Sequence, residues 1–189
     1  MQEKVWPNFS RNLISKVNSV INSGKINYTT GKYGKKFENE FSNYVGNKYS
    51  IAICNGTAAL EVAIKSLDLP KGSEIIVPAR SFFASASCVV NTDYTPVFAD
   101  VDLRTQNISS KDIEKKITKK TKAIICVHLA GLPCDIYTIK KIAKKNKIKI
   151  IEDCSQAHGA SINKKQVGSF SDVATWSFCN DKIISTLGE

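Results

Sequence analysis

The sequence predicts an α/β fold: a mostly parallel sheet flanked by helices. Three observations lead there. Apolar residues at helical spacing alternate along the chain with short apolar runs, the longest of those runs (Ala123 to Val127 among them) are strand-sized, and the residues richest in chemistry fall just past the strand ends. Such alternation implies parallel strands covered by helices on both faces, and ligands in sheets of that kind bind beyond the carboxyl ends of the strands.

Leu13, Ile14, Val17, Val20 and Ile21 recur at helical spacing after Ser10, and Gly24 closes the pattern, so the first element is an amphipathic helix. A turn-rich stretch, Lys25 to Gly34, follows. Phe37, Phe41, Tyr44 and Val45 mark a second helix, ended by Gly46. Next come a strand from Tyr49 to Cys54, a helix from Thr57 to Leu67, a strand from Glu74 to Pro78 and a helix from Ser81 to Asn91. Pro96 to Ala99 reads as a strand, then helix 110–118, strand 122–127, helix 135–145, strand 148–152 and a last strand from Val173 to Phe178. No internal repeat, low-complexity tract or linker interrupts the series.

With 189 residues, 42% of them hydrophobic, the chain suffices for one α/β core and is short for a second complete domain. No apolar run is long enough to span a membrane, and the stretch Met1 to Pro7 lacks a signal-peptide core, so a cytoplasmic location is expected by default. The six cysteines are scattered without a C-x-x-C pair and only two histidines accompany them, so no metal site is expected; most read as reduced, small core residues. The net charge of +10 raises a nucleic-acid partner. The lysines, however, lie between Ile113, Ile117, Ile139, Ile142 and Ala143 on the expected solvent faces of two helices. Without interleaved arginines and aromatics they read as a solvated surface, and no nucleic-acid or membrane partner is expected.

Two segments carry the chemistry. The run Ile150 to Gly159 delivers Asp153 to the end of a buried strand, and the run Trp176 to Lys182 brings an amine to the exit of another. An acid and an amine so placed suit a pyridoxal phosphate enzyme: the amine can take the cofactor aldehyde, and the carboxylate can keep the pyridine nitrogen protonated so that the ring accepts electrons. A carboxylate buried without a partner would be costly, so Asp153 is expected to meet a cation, although it could simply cap the following turn. Cys54-Asn55-Gly56-Thr57 places a turn and a hydroxyl at a helix start, which suits a phosphate or is an ordinary cap. Phe82 and Phe83 could stack on a planar ring or anchor a helix to the core. Gln156 and His158 could meet a cofactor oxygen or satisfy local backbone.

Several motifs in order make the chain similar to the DegT-type (DegT/StrS) sugar-nucleotide aminotransferases, fold type I pyridoxal phosphate enzymes. They are Lys25-Ile26-Asn27-Tyr28-Thr29-Thr30-Gly31, Asn55-Gly56-Thr57-Ala58-Ala59-Leu60, Val77-Pro78-Ala79-Arg80-Ser81-Phe82, Pro96-Val97-Phe98-Ala99-Asp100-Val101-Asp102, Val127-His128-Leu129-Ala130-Gly131, Glu152-Asp153-Cys154-Ser155-Gln156-Ala157-His158-Gly159 and Asp181-Lys182. The resemblance implies the large domain of an aspartate-aminotransferase-like fold, with an N-terminal helix and active-site loop over 1–33 and a domain binding pyridoxal 5'-phosphate over 34–189. It implies catalytic roles for Lys182 and Asp153, a cofactor set of Gly56, Thr57, Phe82, Asp153, Gln156, Ser177 and Lys182, and substrate contacts from Tyr28, Thr29 and Thr30.

By the same resemblance the activity is transamination of a nucleotide-linked keto sugar, in particular a 4-keto-6-deoxy sugar, with an amino acid donor such as glutamate. The expected setting is a cytoplasmic homodimer serving surface polysaccharide or O-antigen synthesis. The alternatives are a dehydratase on the same scaffold, against which Lys182 speaks, and a non-catalytic sugar-nucleotide binder. Two departures stand out: Asn180 where many relatives have Gln, and a chain that stops at Leu187-Gly188-Glu189 where many continue Gly-Glu-Gly-Gly. The expectation is therefore a large domain cut before the small one, weakly binding or inactive by itself.

Overall fold

The computed structural model describes residues 6–186, so the Leu187-Gly188-Glu189 stop lies outside the described residues. The chain divides into two compact units, one running to Ala52 and the other starting at Ile53.

The first unit holds two helices, α1 (Arg11–Asn22) and α2 (Tyr33–Val45). Ser10 caps α1, its Oγ accepting the Leu13 N–H at 3.2 Å, as expected of a serine just before the apolar stripe. Gly46 ends α2 in the left-handed region at φ 84°, where its N–H satisfies the Ser42 carbonyl. The Tyr28 hydroxyl donates to Glu38 Oε2 at 2.7 Å, and its ring lies so close to Gly34 that a Cβ there would come within 2.5 Å of it. The segment predicted as a strand over Tyr49 to Cys54 is not one. Its polar groups go to α2 instead: Ala52 N–H donates to Glu38 Oε1 at 2.8 Å and the Ser50 hydroxyl donates to the Glu38 carbonyl, so no ladder forms.

The second unit alternates α3 (Gly56–Ser66), β1 (Glu74–Pro78), α4 (Ala84–Asn91), β2 (Thr95–Ala99), α5 (Ser110–Lys116), β3 (Thr121–Val127), α6 (Ile136–Asn146) and β4 (Lys149–Asp153). A two-residue hairpin, β5 (Ser161–Ile162) and β6 (Lys165–Gln166), precedes β7 (Val173–Thr175). Its turn residues Asn163 and Lys164 both have positive φ, 50° and 65°, the geometry that matches strand twist. All neighbours in the five-stranded sheet, ordered β2-β1-β3-β4-β7, are parallel. The predicted mostly parallel α/β sheet flanked by helices is thus observed. The last strand ends at Thr175 rather than Phe178, and α4 begins three residues later than predicted, after a turn through Ser81 to Phe83. No helix among the described residues is long and apolar enough to cross a membrane.

The sheet separates two apolar layers. On one side Ile113 of α5 and Ile136, Ile139 and Ile142 of α6 pack on Ile76, Ile124 and Ile150; on the other Leu60, Ala63 and Ile64 of α3 and Cys88 and Val89 of α4 pack on Ile75, Val77, Ile125 and Ile151. Burial of each Ile or Leu contributes roughly 1.5–3 kcal/mol. Side chains alternate along a strand, so Ile150 and Glu152 face the first layer, Ile151 and Asp153 the second.

Glu152 is therefore a carboxylate inside an isoleucine-rich layer, fully buried, and the fold surrounds it with donors. Oε1 accepts His128 Nε2–H at 3.1 Å and Gly168 N–H at 2.8 Å, and Oε2 accepts Phe170 N–H at 2.9 Å. Burial pushes the Glu152 carboxyl up, but the hydrogen bonds from His128 and Gly168 outweigh it and hold its pKa below the usual value. Gly168 can approach because it is glycine, at φ 84°; a Cβ there would lie 2.1 Å from the Trp176 ring.

Glu152→Ala should orphan the Gly168 and Phe170 amides and the His128 ring and cost about 3 kcal/mol of stability. Because the folded pKa of Glu152 is lowered, its contribution is present above the ordinary value of 4.5 and is lost as pH falls through the folded pKa. Denaturant titrations of the two proteins should accordingly converge in acid; a gap that stays constant into acid would contradict the account.

Candidate active site

The carboxyl ends of the parallel strands carry the predicted residues of the second unit. Asp153 closes β4, opposite Val127 of β3 and Thr175 of β7. It is 5% exposed, and both of its hydrogen bonds fall on Oδ1, from Ser155 N–H at 3.0 Å and Ser155 Oγ at 2.6 Å. The turn-capping reading of Asp153 is thus correct for one oxygen, and Oδ2 is left over. Burial raises the Asp153 pKa, and the two bonds from Ser155 and the charge of Lys182 offset that only in part.

Two further polar groups on this side are buried. Neither ring nitrogen of His158 makes a well-aligned hydrogen bond, although the Ser177 backbone acts on the ring, and the ring edge meets Phe178 with centroids 5.0 Å apart; Thr175 Oγ1 is unpaired. Burial lowers the His158 pKa, so the ring is neutral near pH 7. Of the two readings of His158, the local-backbone one keeps support, since the Ser177 backbone acts on the ring and works against burial. Buried polar atoms left unpaired are rare and expensive, and Thr175 is the residue opposite Asp153 in the β4–β7 ladder.

Helix α3 packs its start against the segment after β7. A Cβ on Gly56 would fall 2.8 Å from Ser177 Cβ, so the glycine is what lets the Ser177 side chain sit at the helix N-terminus. The cap of α3 is Asn55, whose Oδ1 accepts Ala58 N–H at 2.8 Å, not Thr57, which lies in the first turn with its side chain half-buried. First-turn amides and a nearby hydroxyl make an anion site.

Lys182 sits in the turn after β7, closed by Lys182 N–H to Cys179 O at 3.0 Å and Thr186 N–H to Phe178 O at 3.0 Å. Its Nζ pairs with Asp181 Oδ2 at 2.9 Å, which holds the Asp181 carboxyl below its usual range. Gln156, in the turn three residues past the end of β4, accepts Ala130 N–H on Oε1 at 2.8 Å. Phe82 and Phe83 follow β1 at the same end of the sheet, with ring centroids 4.6 Å apart, and are 59% and 69% exposed, so they are not the core anchors that were the alternative reading.

Gly56, Thr57, Phe82, Asp153, Gln156, Ser177 and Lys182 thus all lie at the end of β4 or on segments that follow strands of the second unit or meet the segment after β7. Tyr28, Thr29 and Thr30 belong to the first unit, where Asn27 Oδ1 accepts both the N–H and the hydroxyl of Thr30 at 2.9 and 3.0 Å.

Three groups of metal-ligating type, His128, Glu152 and Cys154, also converge, their ligand atoms within 4.8 Å of one another and all buried. Cysteine spacing could not anticipate this, because the cluster is assembled across β3 and β4. Its lone pairs are already engaged: the carboxylate takes three donors, and His128 Nδ1 accepts Cys134 N–H at 3.0 Å.

The chain matches the DegT/DnrJ/EryC1/StrS aminotransferase family over residues 7–189. It is 43% identical over 170 residues to the GDP-perosamine synthase of Escherichia coli O157:H7, covering 90% of this chain and 46% of that protein. It is also 43% identical over 170 residues to the dTDP-3-amino-3,6-dideoxy-alpha-D-galactopyranose transaminase of Aneurinibacillus thermoaerophilus, again 90% of this chain and 46% of the relative. The crystal structure of an aminotransferase from Psychrobacter cryohalolentis superposes with a TM-score of 0.96 at 48% identity, over 98% of this chain and 47% of that one. The chain thus spans about half the length of the relatives it matches. With the family's model matching residues 7–189 and the fold shared with that solved structure, the chain belongs to the DegT/DnrJ/EryC1/StrS aminotransferase family.

Proposed function

We propose that this chain forms the cofactor-holding part of a pyridoxal-phosphate enzyme that moves an amino group from an amino acid, such as glutamate, to the keto carbon of a nucleotide-linked sugar, in particular a 4-keto-6-deoxy sugar. The observation that carries the reading is Asp153: a buried carboxylate with one oxygen uncommitted, opposite the unpaired hydroxyl of Thr175. A protonated heterocycle supplies the cation that such a site lacks. The other donors fit the same group. Gly56, Thr57 and Ser177 would hold its phosphate at the start of α3, Phe82 would cover the ring, and Gln156 would meet its phenolic oxygen.

Bound there, the cofactor would supply an aldehyde that takes the amine and a ring that accepts the electron pair released at the substrate carbon. Lys182 would hold the aldehyde carbon and, once displaced by the donor amine, carry the proton between substrate and cofactor carbons as the base. Its pairing with Asp181 keeps the amine close to the turn from which it reaches the site. Asp153 would keep the ring nitrogen protonated through Oδ2, while Ser155 restrains Oδ1. Tyr28, Thr29 and Thr30 would contact the sugar nucleotide, in a homodimer working in the cytoplasm and feeding surface polysaccharide such as O-antigen. The two relatives at 43% identity carry names of different nucleotide sugars, which supports the substrate class rather than one member of it. A dehydratase on this scaffold is the second reading, and the presence of Lys182 disfavours it.

With pyridoxal phosphate the full-length protein should turn yellow, and Lys182→Ala should abolish the band. With glutamate and a panel of nucleotide-linked keto sugars it should yield 2-oxoglutarate and a product of aminated mass. A colourless protein with salt-sensitive affinity for nucleic acid would replace this reading.

The raised pKa of Asp153 has the opposite sign to that of Glu152. The native state holds this proton more tightly than the unfolded state, so the stability it contributes is present below 3.8 and lost as pH rises through the folded pKa. Asp153→Asn should therefore stabilise the cofactor-free chain at pH 8, by about 1 kcal/mol, with a smaller gain at lower pH, and weaken cofactor binding. Thermal melts at pH 8 and pH 5 check this; equal or lower stability at pH 8 would contradict it.

A further inference from the structure

We propose that His128, buried on the side of the sheet away from the candidate site, is a positioning residue. It braces the loop from Leu129 to Cys134 so that Ala130 fixes Gln156 with its amide NH2 presented to a ligand oxygen.

The identity of the Gln156 atoms follows from its partner. A backbone N–H can only donate, so the atom 2.8 Å from Ala130 N is the side-chain oxygen, and the NH2 is what remains. Gln156 Nε2 donates to nothing in the described residues, so both of its N–H groups are available to an acceptor. An amide presented this way favours an anionic oxygen, and the phenolic oxygen of the proposed cofactor is one; in that respect the inference rests on the function proposed above.

Ala130 holds this bond at a conformational cost. It has φ 51° and ψ 28°, the left-handed region that a residue with a Cβ seldom occupies. Gly131 follows at φ 84°, and a Cβ on it would meet the Gln156 carbonyl oxygen at 3.4 Å, so the loop is seated against Gln156 backbone as well. Such a conformation persists only where its surroundings impose it, and the loop is pinned at both ends. At its start, His128 N–H donates to the Asp153 carbonyl at 3.1 Å and Leu129 N–H to Asn107 Oδ1 at 3.0 Å. At its end, Cys134 N–H donates to His128 Nδ1 at 3.0 Å. The ring that takes that bond is oriented by its other nitrogen, Nε2, on Glu152 Oε1 at 3.1 Å. Cys134 meets Nδ1 through its backbone N–H, and Nε2 carries the hydrogen that faces Glu152. Glu152 thus reaches the opposite face of the sheet through an imidazole, a loop amide and a glutamine.

Two substitutions divide the imidazole into its halves. His128→Asn keeps an acceptor near Nδ1 for Cys134 N–H, whereas His128→Gln keeps a donor near Nε2 for Glu152 and loses the loop. In the unmodified, cofactor-free protein the Ala130 amide should exchange with solvent slowly although the residue is exposed. It should exchange about tenfold faster in Gln156→Ala and His128→Gln, with His128→Asn staying near the parent. In the cofactor-loaded full-length protein the pH at which the visible band changes should move in the same direction in Gln156→Ala and His128→Gln and stay put in His128→Asn. A parent Ala130 amide that exchanges as fast as an open loop, or identical behaviour of His128→Asn and His128→Gln, overturns the bracing. A parent that never gains a visible band overturns the function reading instead. The exchange data decide the bracing without any cofactor, and the parent's Ala130 protection decides it even where a variant does not fold.

Discussion

The architecture turns on one constraint, the pairing of two consecutive carboxylates at the end of a strand buried on both faces. A strand sends neighbouring side chains to opposite sides, so Glu152 and Asp153 cannot share a partner. The fold treats them differently. Glu152 receives three donors from His128, Gly168 and Phe170, and those bonds tie the loop before β7 to the ends of β3 and β4. Asp153 receives donors on one oxygen only. The first acid is structural glue, and the second keeps one oxygen free of donors on the scaffold that the first one stiffens.

Most of the sheet was legible in the sequence because local pattern and tertiary environment agree there. Ile124, Ile125, Ile150 and Ile151 read as strands and are strands buried between helices. The segment from Tyr49 to Cys54 had the same local character and failed, because strand formation needs a neighbour and the donors of this stretch found α2 first. The β5–β6 hairpin was missed for the opposite reason: Asn163 and Lys164 adopt positive φ without a glycine to announce it. At the site, positions could be read from strand ends, since Asp153 and Lys182 follow buried runs. The Glu152–His128 pair, the conformation of Ala130 and the unpaired hydroxyl of Thr175 could not, because each depends on groups distant in sequence. The adjacency of Glu152 and Asp153 was a usable signal, since alternation alone demands two separate buried partners.

The surface chemistry sits apart from this machinery. Lys144 and Lys145 lie in the last turn of α6, where cations oppose the negative end of the helix dipole, and Lys115 and Lys116 do the same on α5. Those placements give the excess of positive charge a local role, and the helices keep their isoleucine faces for the core.

On the proposed function, the half-paired carboxylate at the end of β4 would tie the fate of the polypeptide to vitamin B6 supply. A chain that keeps an uncompensated buried anion opens more often, and molecules that bind only the closed form withdraw it from that equilibrium. Proteases and chaperones sample the open form, so a difference of one or two kcal/mol translates into several-fold changes in abundance. Through Asp153, unloaded copies would be culled first, and the cellular pool would be enriched in protein already equipped to work.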